Sequence, residues 1–141
     1  MMKKGAMMLL IVMAINKDKG IEIGPHGYGE LTQLHIPWVD VLSQPETRYE
    51  VLVYSPHCSY CLRLEGAVSN RAAATNEEPL YLVEATRELP FGAVDDLTEC
   101  ICETSRLKIP GYPLLIEIMS GCATTRILGY SAIADHWAKY D

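Results

Sequence analysis

The chain has 141 residues, a net charge of −6, 49% apolar residues and 21% charged residues, which is enough for one hydrophobic core and too little for two. That balance excludes wholesale disorder. The absence of a Lys/Arg block interleaved with aromatics argues against nucleic acid as a partner. Five cysteines leave at least one thiol outside any intrachain bridge, which favours a reducing, cytoplasmic compartment.

At the N-terminus, Lys3-Lys4 precedes an apolar run from Gly5 to Ile15, and two readings stay open. The charge-then-apolar order, with Val12-Met13-Ala14 as a small-residue cleavage site, fits a secretory signal and hence export. Alternatively, Leu9 to Ile15 is a buried strand turning through Asn16 to Gly20 into Ile21-Glu22-Ile23. The run is far short of the roughly 20 residues of a membrane-spanning helix, so no membrane contact is expected. Gly24 to Gly29, Gly-Pro-His-Gly-Tyr-Gly, marks an irregular joint. Residues 1–30 are therefore read as an N-terminal extension and 31–141 as one domain.

Leu31 to Ile36 is predicted as a short strand, and Pro37 suits the first turn of a helix with Trp38, Val41 and Leu42 on one face, closed by Pro45. Tyr49 to Tyr54 is rich in β-branched and aromatic residues, with Val51, Leu52 and Val53 continuous, as expected of a strand buried on both faces. After Ser55-Pro56 the pattern changes to a helix from Cys58 to about Asn76. Pro79 to Ala85 is a second strand, and Val94, Leu97 and Ile101 at helical spacing predict a helix over 94–107. Leu114 to Met119 and Thr124 to Leu128 form a hairpin around Ser120-Gly121, followed by a helix from Ser131 to Tyr140. The order predicts an α/β fold, a mixed central sheet with helices on both faces.

The chemistry concentrates at Cys58-Ser59-Tyr60-Cys61. Disulfide exchange needs a nucleophilic thiolate, a nearby thiol to resolve the mixed disulfide, and access for another protein's sulfurs. A Cys-x-x-Cys at a helix start puts the first sulfur where unpaired N–H groups stabilise its anion, with the second on the same face. Cys58 is the expected nucleophile and Cys61 the resolving thiol, with His57 and Arg63 as nearby positive groups. The rival is half of a zinc site completed by Cys100 and Cys102, whose side chains diverge on the predicted helix. Cys100 is expected to fill core, Cys122 to be exposed in the hairpin turn, and a bridge between helix and hairpin stays open.

Two features resemble the thioredoxin superfamily over about residues 31–141. The first is the strand, Cys-x-x-Cys and helix at 50–76. The second is Gly111-Tyr112-Pro113 leading into Leu114-Leu115-Ile116, a hairpin, Gly129 and a terminal helix. The resemblance implies a thioredoxin-like three-layer sandwich and a thiol-disulfide oxidoreductase. It further implies that Pro113 is a cis-proline facing the pair and that Tyr112 offers its backbone to an extended substrate. Ser55-Pro56 and Tyr60 are more similar to glutaredoxins, in which the tyrosine holds the same place. The chain departs from both groups: Ser59 replaces the glutaredoxin proline, His57 the thioredoxin tryptophan, Leu52 stands where thioredoxins bury an acid, and Tyr112 is bulkier than the β-branched residue usual there. On this reading His57, Cys58 and Cys61 are catalytic and Tyr60, Tyr112 and Pro113 bind substrate. Disulfide-containing proteins and a reductase or glutathione system are the partners, and neither a metal nor a separate cofactor is required. The alternative is a thioredoxin-like binding module without catalysis.

Overall fold

A computed structural model describes residues 27–74 and 77–140. The signal, strand and hairpin expected within residues 1–26 lie outside the described residues. Four strands, β1 (Arg48–Tyr54), β2 (Leu80–Glu84), β3 (Leu114–Met119) and β4 (Cys122–Leu128), form one mixed sheet in the order β2-β1-β3-β4. β1 is parallel to β2 and antiparallel to β3, and β3 is antiparallel to β4. The parallel pair requires a crossover, which is supplied by α1 (Ser59–Arg63) and α2 (Glu65–Ala73). The antiparallel pair closes on Ser120 and Gly121, both at positive φ (52° and 80°), the combination of a two-residue hairpin turn whose twist matches the strands. Gly129, also at positive φ, turns the chain into α3 (Tyr130–His136).

Alternation along the strands sorts the core into two halves. Leu52, Tyr54, Leu82 and Leu115 face one way and meet Cys61, Leu64 and Val68 of the crossover and Ile133 and Trp137 of the C-terminal segment. Val51, Val53, Ile116 and Ile118 face the other way and meet Val41, Leu89, Ile101, Leu107 and Ile109. Each such fully buried aliphatic side chain stabilises the fold by about 1.5–3 kcal/mol before conformational entropy is charged against it. Among the described residues no helix is long and apolar enough to cross a membrane.

Among the described residues the α-helices all pack on the first face, and the second face meets only 3-10 turns and irregular chain, so the helices expected on both faces are found on one. Residues 94–107 hold only a 3-10 turn, Thr104–Arg106. The apolar spacing is real, but the backbone carbonyls of a helix are taken elsewhere. Arg126 on β4 donates from its backbone N–H to the Leu97 carbonyl (2.8 Å), and its Nη2 donates to those of Asp96 and Glu99 (3.0 and 3.2 Å). The Asp96 carboxylate accepts from the Thr98 N–H, an Asx turn that competes with helix. Ile101 then runs extended, exchanging both backbone hydrogen bonds with Ala123.

The entry segment also departs from expectation for reasons of local hydrogen bonding. Residues 31–36 are not a strand. The Leu31 carbonyl accepts from the Leu34 N–H and from the His35 ring in 3-10 turns, and a single bridge, His35 to Leu82, touches the sheet. The helix expected from Pro37 stops after the 3-10 turn Trp38–Asp40, because Ser43 and Gln44 side chains donate to the Asp40 carbonyl and the Tyr49 hydroxyl donates to that of Val41. The long helix from Cys58 is broken at Leu64 into α1 and α2, and the terminal helix gives way to a 3-10 turn, Ala138–Tyr140.

Candidate functional site

β1 delivers the chain at Tyr54 to Ser55-Pro56, and Cys58 takes the N-cap position of α1 in extended conformation. The Cys61 N–H donates to Cys58 Sγ (3.2 Å), so the helix start points a backbone donor at the first sulfur. The Ser55 N–H donates to Cys61 Sγ at 3.5 Å. Both cysteines are free thiols, Cys58 half-buried and Cys61 fully buried. Burial, and then hydrogen bonding with Cys58, pushes the Cys61 thiol up to about 12, so it holds its proton at neutral pH.

A layer of aromatic and imidazole groups supports Cys61 from below. The buried Tyr28 hydroxyl donates to the Cys61 carbonyl (2.7 Å), and its ring stacks on Tyr54 at 3.9 Å between centroids. The Tyr54 hydroxyl in turn lies 2.7 Å from His35 Nε2, while His35 Nδ1 is 3.1 Å from the Leu31 carbonyl. Since a carbonyl only accepts, Nδ1 carries a proton toward Leu31, and the Tyr54 hydroxyl lies between His35 Nε2 and Glu84 Oε1, the latter at 3.4 Å. Burial pushes the Tyr28 and Tyr54 hydroxyls above the ordinary phenol range. None of these three residues was singled out by sequence reasoning. Tyr28 lies in the Gly-rich joint and Tyr54 reads as ordinary strand; only the abundance of hydroxyl-bearing aromatics near the motif offers a hint.

The Tyr112-Pro113 peptide bond is cis, and Pro113 is buried at the head of β3. Tyr112 lies near enough to the pair that charge on Cys61 or Cys58 adds to burial in raising its hydroxyl. Its backbone N–H and C=O make no backbone hydrogen bond among the described residues. Phe91, half-exposed, meets the Tyr112 ring edge-on at 5.4 Å. On the other side Tyr60, 54% exposed, stacks loosely on Tyr130, and the Arg63 guanidinium lies over both rings at 5.5 and 4.8 Å. Exposed aromatic rings thus occur at Tyr60, within the Cys-x-x-Cys on α1, and at Phe91, against Tyr112. His57 is exposed, and among the described residues its ring makes no hydrogen bond; its backbone N–H donates to Ser55 Oγ (3.2 Å).

The other cysteines do not join this pair. Cys102 and Cys122 form a disulfide, and Cys100 is an exposed free thiol rather than core filling. The two groups of possible metal-ligating side chains among the described residues are Cys100, Cys102 and Cys122, and Glu50, Glu117 and His136. Neither contains Cys58 or Cys61, so the four-cysteine zinc arrangement is not assembled.

Glu50 anchors a buried polar network two residues before Leu52. Its Oε1 accepts from Arg71 Nε (2.9 Å) and Trp137 Nε1 (3.0 Å), and Oε2 lies 2.9 Å from His136 Nε2. Arg71 also donates to the Glu78 carbonyl. Burial alone would raise the Glu50 carboxyl, but the Arg71 charge and the three donors outweigh it and hold the group below the usual range. A cavity of about 390 Å³ lined by Gln33, Leu34, Arg71, Glu78, Leu80 and Tyr81 borders neither cysteine of the pair nor Tyr112-Pro113. The sequence matches no family model and no curated protein.

Proposed function

We propose that the protein is a thioredoxin-like thiol-disulfide oxidoreductase acting on disulfide-containing proteins through Cys58 and Cys61. The observation that carries this reading is the asymmetry of the pair: Cys58 is reachable and receives the Cys61 N–H, whereas Cys61 is buried and protonated. The β-α-β crossover and the hairpin-plus-helix that flank it, with cis-Pro113 between them, are compatible with the resemblance.

The Cys58 thiolate attacks one sulfur of a substrate disulfide; that bond breaks, and the departing substrate sulfur takes a proton. Cys61 then gives up its proton and attacks Cys58 Sγ, releasing the second substrate thiol. The substrate gains two electrons and the pair is left as a disulfide, which a dithiol reductase or glutathione reduces again. Engagement of Cys58 in the mixed disulfide removes its hydrogen bond with the Cys61 thiol, leaving burial as the main restraint on that proton. The Cys61 proton is then released more readily than in the free pair, and the resolving step should speed up as pH rises above neutral. An extended substrate segment meets the unpaired backbone of Tyr112 by strand addition, with Tyr60 and Phe91 as apolar contacts.

In an insulin-reduction assay with a dithiol reductant, the wild type should accelerate precipitation and Cys58→Ser should lose about 1,000-fold or more of that rate. Activity surviving Cys58→Ser would contradict the mechanism. The exposed aromatics around the pair support a second reading, a non-catalytic module that binds partner segments. That reading requires retained partner binding by a wild type that is inert in the same assay.

A further inference from the structure

We propose that Cys100, Cys102 and Cys122, once the Cys102–Cys122 bridge is reduced, form a three-thiolate site for a single thiophilic metal ion of the zinc class. The inference is separate from the exchange reading, since it uses neither Cys58 nor Cys61.

Its basis is the conformation of residues 100–102. Were this segment helical, the two cysteines would diverge. It is instead extended at Ile101, which exchanges hydrogen bonds of 2.9 and 2.7 Å with Ala123 of β4. In extended chain, residues two apart point to the same side, so Cys100 and Cys102 share a side while Ile101 turns into the core. The residues flanking a hydrogen-bonded antiparallel pair form the close, non-hydrogen-bonded pair. Cys102 and Cys122 occupy those positions, with Cα atoms 4.1 Å apart.

The result is three sulfurs within 4.8 Å of one another, Cys122 on β4 and Cys100 and Cys102 on either side of the single Ile101–Ala123 bridge. Sulfurs sharing a tetrahedral zinc shell, each about 2.3 Å from the metal, lie about 3.8 Å apart, so the bonded sulfurs of Cys102 and Cys122 move apart once reduced, with Cys100 Sγ within 4.8 Å of both. Thiolates are the ligand type that selects zinc and copper(I) over hard cations. Cys100 and Cys102 are exposed and Cys122 half-buried, so an ion can enter, and the outward fourth position stays open to water.

The bridge makes the site redox-gated. A dithiol supplies two electrons and two protons to Cys102–Cys122 and leaves as a disulfide, giving three thiols. Binding a divalent ion then releases up to three protons as the thiols become ligands. Oxidation by a disulfide reverses the first step and expels the metal.

The test uses full-length Cys58→Ser/Cys61→Ser protein, reduced anaerobically with a phosphine that is then removed, and offered Zn²⁺. About one zinc per chain should survive gel filtration in the reduced protein and none when the bridge is intact. Adding Cys100→Ser, a change at an exposed side chain, should abolish retention. Co²⁺ in place of Zn²⁺ should give a sulfur-to-metal charge-transfer band that weakens in the Cys100→Ser protein. Absence of stoichiometric zinc in the reduced protein, equal retention without Cys100, or retention with the bridge intact would overturn the proposal.

Discussion

The helical side of the sheet holds both its cysteines as free thiols, whereas its irregular cover holds Cys102 in a bridge to β4 and leaves only Cys100 free. At the start of α1, Cys58 and Cys61 are free thiols, positioned by backbone donors and by the tyrosine pair beneath them. In the cover over residues 89–109, Cys102 is bonded to Cys122 and pins an otherwise irregular segment to β4. The helical side is held by noncovalent networks that leave its sulfurs available for chemistry. The cover lacks regular backbone pairing over most of its length and relies on Arg126 and one covalent tie. A disulfide in the second region therefore bears on stability, whereas one between Cys58 and Cys61 would, under the proposed function, be a step in turnover.

The comparison breaks most visibly at Glu50. Glu50→Gln leaves Arg71 buried without its anion and should destabilise the protein by about 4 kcal/mol, read as a lowered urea midpoint. The Glu50 carboxyl is depressed in the folded state, so its contribution is present above the unfolded carboxyl value, near 4.3. It is lost as pH falls through the lower folded value. Wild type should accordingly lose stability on acidification over that range, and Glu50→Gln should lose less. An unchanged midpoint would show that the network does not hold the helical side.

Cutting the tie on the other side should cost somewhat less. Cys102→Ser/Cys122→Ser opens a loop spanning a sequence separation of 20, worth about 3 kcal/mol on the chain-entropy account. Insulin reduction should be preserved under conditions where the variant remains folded. Loss of exchange activity with the fold intact would mean that the two regions are coupled rather than distinct.

The contrast also explains which parts were legible in the sequence. β1, the Cys-x-x-Cys helix start and the β3–β4 hairpin announce themselves through local signals: a β-branched run, a motif and a Ser-Gly turn. The cover does not, because Val94, Leu97 and Ile101 fall at helical spacing while the determinants of its path sit on another strand, in Arg126 and Cys122. The same holds for the site. The free pair Cys58 and Cys61 and the cis bond before Pro113 lie where the motif and the resemblance place them, but Tyr28 reaches Cys61 across 33 residues from a Gly-rich stretch that reads as a joint. Glu50 meets His136 and Trp137 across 86 and 87 residues, and no local pattern encodes that pairing.

The smallest effect is expected at Tyr28. Tyr28→Phe keeps the stacking on Tyr54 but leaves the Cys61 carbonyl without that donor, for about 1 kcal/mol of stability. Because the hydroxyl acts through the α1 backbone, the resolving step by Cys61 should slow more than the first attack by Cys58. Equal effects on both steps would assign Tyr28 a purely structural role.

The central claim is that Cys58 is the attacking sulfur and Cys61 resolves. Cys61→Ser protein, incubated with an oxidised protein substrate and digested without reductant, should yield a mixed disulfide mapped by mass spectrometry to Cys58. A covalent adduct found chiefly at Cys100, or none at all while the variant is folded, would contradict the account.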